Sequence, residues 1–262
     1  MTEFYIPYDG QKIHAKLEMP DNVGAKCPLA IINHGFTGHM EEPQIVAVKE
    51  AIRAMGIATL RVDLYGHGKS SGTFKEHTLF KWIEQGLAVI EYAKKLDFVT
   101  DLYYVGHSQG GMNAMMMGGL RPDDLKALVL LAPAGMIPDA ARAGNLASAL
   151  YEPDEIPEEL VIWGGEILGG NYARTAQLLH TEDAIEKYHG PVLIVHGTAD
   201  RAVPYAYAKK AAELYENCKL VTIPGSNHGF EGYYDEMTSA VTVFLRYSDG
   251  DRPIRERKSR LK

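Results

Sequence analysis

Apolar residues along this chain follow two periods. Phe4 and Ile6, then Ile13, Ala15 and Leu17, alternate with polar positions on either side of Asp9-Gly10, the pattern and turn dipeptide of a β-hairpin. Residues 28–33 and 57–62 are short continuous apolar runs, as expected of strands buried on both faces. Between them a helical pattern covers about 42–55 and stops at Gly56. A longer helix is predicted over about 78–96, where Leu79, Ile83, Leu87 and Ile90 recur at spacings of three and four. Strands at 102–105, 127–131, 192–195 and 220–223 then alternate with helices at 109–120, 205–215 and 233–247. That alternation predicts an α/β fold with a mostly parallel central sheet, helices on both faces and right-handed crossovers.

One stretch breaks the rhythm. Residues 133–190 occupy the place of a single crossover helix and contain Pro138, Pro153, Pro157 and Gly-Gly pairs at 164–165 and 169–170. A structureless loop of that length is rare in a compact domain. The expectation is a small inserted subdomain with a hairpin near 160–168 and two or three short helices. It leaves the carboxyl end of a strand, the edge at which open α/β sheets bind ligands, so it is expected to act as a lid. The core is then 1–132 with 191–248, and 249–262 is a basic tail, expected to be flexible.

Composition narrows the function. With 262 residues, 46% hydrophobic and 23% charged, the chain is an ordinary globular protein. A net charge of −7 argues against a general nucleic-acid binder. Arg252, Arg255, Arg257, Lys258, Arg260 and Lys262 are a local exception in the tail. Cys27 and Cys218 are too few for a disulfide framework or a cysteine metal site. The first residues lack the pattern of a secretory signal, and no run reaches the roughly 18 apolar residues of a membrane span. A soluble, cytoplasmic protein is the expectation.

The strongest chemical signal is Gly106-His107-Ser108-Gln109-Gly110, a G-x-S-x-G pattern between a predicted strand and a predicted helix. That is the context of a nucleophile elbow, whose sharp turn lifts the serine hydroxyl above the sheet. Serine needs a base, and the base an orienting acid, in the chain order Ser, Asp or Glu, His. His228 follows the last predicted strand, and Asp200 follows the strand at 192–195. Both fall at the sheet edge that carries Ser108. Asp200 also fits a cap for the next helix; Asp139, Glu182 and Asp183 are rivals that follow no core strand. The oxyanion formed on attack needs two donors. The backbone N–H of Gln109 supplies one, and that of Phe36, made accessible by Gly35, supplies the other. His34 reads as a structural hydrogen-bonding residue, and Met112, Met115, Met116 and Met117 as core filling.

Five stations together resemble the α/β-hydrolase family: His34-Gly-Phe36, Asp63-Leu-Tyr-Gly-His-Gly-Lys-Ser70, Gly106-His-Ser-Gln-Gly110, His196-Gly-Thr-Ala-Asp200 and Asn227-His228. The resemblance spans Pro28 to about Tyr247. It implies a serine hydrolase with the α/β-hydrolase fold and no metal or cofactor; the serine nucleophile sets it apart from the aspartate-dependent dehalogenase and epoxide hydrolase branches. The insertion, with Ala132-Pro-Ala134, Asp139, Tyr151-Glu-Pro-Asp154, Ile156-Pro157 and Gly169-Gly-Asn-Tyr172-Ala-Arg174, resembles that of bacterial feruloyl (cinnamoyl) esterases. The resemblance implies that Asp139 and Tyr172 reach the phenolic hydroxyl of a hydroxycinnamate and that Trp163 walls the aromatic ring. The alternative is that Asp139 caps a helix while Tyr172 and Trp163 pack the lid. The expected activity is hydrolysis of hydroxycinnamate esters through an acyl-enzyme. The alternatives are a lipase-like, monoacylglycerol or short-chain carboxylesterase, and a non-catalytic binding protein on the same fold. The partner is a small-molecule ester, with no nucleic acid or membrane. Dimers are common in the resembled group, so a homodimer is the implied assembly.

Overall fold

The computed structural model describes residues 1–21 and 24–248; the basic tail at 249–262 lies outside the described residues. The chain opens with strands β1 (Thr2–Tyr8) and β2 (Gln11–Glu18), joined by the expected turn at Asp9-Gly10. There follow β3 (Cys27–Asn33), α1 (Pro43–Arg53), β4 (Ala58–Val62), α2 (Leu79–Ala93), β5 (Val99–His107), α3 (Gln109–Leu120) and β6 (Ala127–Leu131). Proline at the start of α1 sits where a helix has no use for its N–H. Thr78 caps α2 by accepting the N–H of Lys81 at 3.2 Å.

The long interruption holds α4 (Ile137–Arg142), the two-residue strands β7 (Asn145–Leu146) and β8 (Ala149–Leu150), and the hairpin β9 (Glu159–Val161) with β10 (Ile167–Gly169). Helices α5 (Gly170–Ala176) and α6 (Thr181–Lys187) complete it. The β7–β8 pair was not predicted from sequence; two residues carry no readable period. The chain ends with β11 (Val192–Gly197), α7 (Tyr205–Leu214), β12 (Cys218–Ile223) and α8 (Tyr234–Ser248).

Eight strands form one sheet in the order β1-β2-β4-β3-β5-β6-β11-β12. It is parallel from β4 to β12, with the β1–β2 hairpin added antiparallel along β4. This is the α/β-hydrolase fold. Alternation along β3 shows why its sequence reads as a continuous apolar run. Leu29 and Ile31 face a core shared with α2 and α3, and Ala30 and Ile32 face a second core under α1 and α8. Met112, Met115 and Met117 are buried in the first of these cores, as expected of gap-filling side chains. At Gly119 of α3 a side chain would overlap the backbone of Ala184, so α6 packs directly on the helix that follows the serine. Parallel strands bring the loops after β3, β5, β6, β11 and β12 to one edge, and every candidate catalytic side chain lies on one of those loops. Among the described residues, no helix is long and apolar enough to cross a membrane.

Candidate active site

Ser108 stands between β5 and α3 with φ 56° and ψ −120°, a backbone conformation that costs a non-glycine residue energy and persists only when its surroundings enforce it. The flanking glycines are part of that enforcement. A side chain at Gly106 would overlap the carbonyl of Gly110, and one at Gly110 would overlap the carbonyl of His34. The serine hydroxyl opens into a cavity of about 980 Å³, at the upper end of ordinary ligand pockets.

Three side chains from three loops meet there. His228 Nε2 lies 2.9 Å from Ser108 Oγ, and His228 Nδ1 lies 2.7 Å from Asp200 Oδ2. Asp200 Oδ1 accepts the N–H groups of Ala202 and Val203 at 2.8 and 2.9 Å. Burial would raise the Asp200 carboxyl. Hydrogen bonds from His196, His228 and the Val203 N–H outweigh it and hold the group well below the carboxylate range. An ionised Asp200 requires the proton on His228 Nδ1, which leaves Nε2 free to accept the serine proton. Asp200 does not cap α7, since its acceptor capacity goes to residues 202 and 203. Of the rivals, Glu182 pairs with Lys210 at 2.8 Å, and Asp183 sits in the first turn of α6.

The N–H of Gln109 begins α3 and that of Phe36 lies in the loop after β3; neither meets a protein acceptor among the described residues. Gly35 O accepts His34 Nδ1–H at 2.7 Å and the Gly38 N–H at 3.2 Å. In a trans peptide the N–H points opposite to the C=O, so anchoring Gly35 O fixes the direction of the Phe36 N–H. Next along the chain, Thr37 takes φ 61° and donates its N–H to His67 Nε2 at 3.2 Å. Burial pushes the His34 imidazole down to about 3 and lowers that of His67, so both act as neutral hydrogen-bonding groups. His107, just before the serine, donates Nε2–H to the carbonyl of His228 at 2.9 Å. His34 has the hydrogen-bonding role read from the sequence, whereas His67 and His107 gave no sequence signal for these roles beyond the motifs that contain them.

The lid residues divide. Tyr172 is buried, lines the cavity and donates its hydroxyl to Gln109 Oε1 at 2.6 Å. Its ring packs on His77 and Phe36 at 4.8 and 5.6 Å. Trp163 is half exposed and stands edge-on to Phe36 at 5.6 Å, also on the cavity wall. Asp139 corrects the sequence expectation, because it does not converge with Tyr172. Met136, Ile137 and Ala140 turn one face of α4 to the cavity, and Asp139 falls off that face. Its carboxylate pairs with Arg142 Nη1 at 3.0 Å and accepts the Tyr207 hydroxyl at 3.1 Å. It makes no side-chain cap either. Glu42, unremarked in the sequence, also lines the cavity; burial raises its carboxyl. No cluster of His, Cys, Asp or Glu able to hold a metal occurs among the described residues.

The model of the family described as "Serine aminopeptidase, S33" matches residues 25–153, and that of "TAP-like protein" matches 172–257. A structure of Est1E from Butyrivibrio proteoclasticus, with ferulic acid bound, is 53% identical with a TM-score of 0.92, over 94% of this chain and 98% of that one. The bifunctional esterase/perhydrolase DCH of Acinetobacter calcoaceticus is 25% identical over 244 residues, 77% of this chain and 85% of that protein. The mouse alpha/beta hydrolase domain-containing protein 10 shares the fold at 18% identity, with a TM-score of 0.78 over 94% of this chain and 99% of that one.

Proposed function

The chain belongs to the α/β-hydrolase family, and from that premise we propose that it is a serine carboxylesterase acting on hydroxycinnamate esters through an acyl-enzyme. The observation that carries this reading is the unbroken chain from Ser108 through His228 to Asp200, at 2.9 and 2.7 Å, with Ser108 and His228 lining a cavity.

In this reading Ser108 Oγ attacks the ester carbonyl while His228 Nε2 takes its proton. Asp200 keeps the imidazole in the tautomer that can do so and stabilises the imidazolium formed. The Phe36 and Gln109 N–H groups receive the oxyanion, Gln109 with the added field of a helix start. His228 protonates the departing alkoxide and then takes a proton from water, which attacks the acyl-enzyme; return of that proton to Ser108 Oγ breaks the acyl bond, releases the acid and restores the resting enzyme. Every step uses the chain's own groups and water.

For the acyl group, ferulic acid in the 53% identical Est1E supports an aromatic acid. Phe36, Trp163 and Tyr172 offer aromatic faces along the cavity, and residues 133–190 serve as the lid. The Tyr172 oxygen donates to Gln109 but keeps acceptor capacity for a phenolic hydroxyl. The test is a panel of methyl ferulate, methyl p-coumarate, tributyrin and a long-chain monoacylglycerol, beside labelling by a fluorophosphonate. The reading expects labelling at Ser108 and the highest kcat/KM on the hydroxycinnamates. Highest turnover on the acylglycerols would replace it with a lipase-like esterase, and no labelling with a non-catalytic binder.

A further inference from the structure

Asp200 is approached by two imidazoles. Beside His228, His196 Nε2 lies 3.1 Å from the same oxygen, Oδ2, and both His196 and Asp200 side chains are fully buried. His196 stands at the end of β11, paired in register with Thr222 of β12.

Its protonation follows from its neighbours. Nε2 faces two acceptors, Val203 O and Asp200 Oδ2, each at 3.1 Å, so this nitrogen carries a proton and shares it between them. Nδ1 is buried without a hydrogen-bond partner. A second proton there would leave an unpaired N–H and a charge in the interior, which is costly. The ring is fixed edge-on to Tyr205 of α7 at 5.6 Å, and the Tyr205 hydroxyl is in turn bonded to Thr222. His196 is therefore a rigid neutral donor held in one tautomer.

The Asp200 carboxylate thus receives four N–H groups: from His228, His196, Ala202 and Val203. A donor outside the proton-transfer path fixes the carboxylate's orientation. It also draws negative charge away from His228, so the carboxylate favours the imidazolium less. We propose that His196 is a positioning residue of the catalytic apparatus, holding the Asp200 carboxylate in place and drawing part of its negative charge away from His228. This rests on the reading of Asp200 as the triad acid. The titratable groups that face this set are few. Tyr205 lies beside His196, and His107 packs its ring 4.8 Å from His228 and is itself neutral, its imidazole pushed down by burial to about 3. Arg201 and Glu231 line the same cavity as His228.

The test compares His196→Phe, which keeps a ring but removes the donor, with His196→Gln, which restores an N–H. The readout is the pH profile of kcat/KM on 4-nitrophenyl acetate. In His196→Phe the acid limb should move to higher pH by about half a unit, with KM within about twofold of wild type, and His196→Gln should move it back towards wild type. An unmoved limb in folded His196→Phe, or equal shifts in both variants, overturns the proposal. Should His196→Phe fail to fold, ¹⁵N imidazole shifts of the wild-type protein decide. A neutral Nε2–H tautomer at His196 across the active range supports the proposal, whereas an imidazolium or an Nδ1–H tautomer overturns it. Asp200→Asn separates the two readings: if that variant keeps wild-type turnover, the triad assignment itself falls; if it is inactive while the His196→Phe limb stays put, only the role of His196 falls.

Discussion

Tyr172 gives its phenolic hydrogen to Gln109 Oε1 at 2.6 Å, tying α5 to the first residue of the helix that follows Ser108. The bond is buried, and the other end of the Gln109 amide, Nε2, has no partner. Tyr172→Phe should therefore cost about 1–3 kcal/mol in denaturant unfolding. It should also lower kcat/KM on methyl ferulate roughly twofold to tenfold relative to methyl cinnamate, which has no hydroxyl for Tyr172 to accept. Equal losses on the two esters would mean that Tyr172 acts only through Gln109.

Asp139 supplies the contrast. Its carboxylate is engaged by Arg142 and Tyr207, away from the cavity. Asp139→Asn should leave the ferulate-to-cinnamate ratio within about twofold of wild type, with a stability loss below about 1 kcal/mol for a half-exposed pair. Side-by-side kinetics on the two methyl esters check it. A selective loss on ferulate would return Asp139 to the substrate site.

Gly35 lies where the loop after β3 passes Ser108. A Cβ there would come within 2.9 Å of Ser108 Cβ and 3.2 Å of His107 Nδ1. Gly35→Ala should displace either the serine or the Phe36 N–H, and a misplacement approaching 1 Å costs on the order of 100-fold in kcat. Circular dichroism should show the fold intact while turnover of 4-nitrophenyl acetate falls. Wild-type turnover would remove the loop from the oxyanion site.

Acid should destabilise the fold through its buried histidines. Burial, aided by neighbouring imidazoles, pushes His34, His77 and His107 from 6.5 down to about 3. Folded, each stays neutral down to about pH 3; unfolded, each takes a proton below about 6.5. The unfolded chain therefore binds more protons between those limits. The stability these groups contribute is complete above about pH 6.5 and is lost as pH falls towards 3, by about 1.4 kcal/mol per unit for each histidine. Urea midpoints measured from pH 7 to pH 4 should fall steeply. A flat profile would mean that these imidazoles are not buried neutral.

Most of the architecture was legible in the sequence because the two faces of each buried strand and the core face of each helix leave a period. The meeting of three side chains at one edge was legible for a related reason. A parallel sheet sends the loops after successive strands to one edge, so Ser108, Asp200 and His228 could be assigned by their place after β5, β11 and β12. Asp139 was misread because a helix of six residues, 137–142, gives too little periodicity to fix which way one carboxylate turns. His34 could be read as a hydrogen-bonding residue, but the partners of the supporting histidines were hidden by distance along the chain. His34 touches Leu64, His67 touches Thr37, and His107 reaches the carbonyl of His228, contacts that exist only once the sheet has formed.

The central claim is that Ser108 carries the acyl group. The most direct measurement is peptide mass spectrometry after acid quench of a brief reaction with methyl ferulate, on wild type, Ser108→Ala and Asp200→Asn. The account predicts a feruloyl adduct on the peptide containing Ser108 in wild type. Ser108→Ala should show no adduct and a kcat lower by about 10⁴- to 10⁶-fold. Asp200→Asn should lose on the order of 10⁴ through the wrong imidazole tautomer. Hydrolysis by Ser108→Ala at the wild-type rate, with the acyl group on another residue or on none, would contradict it.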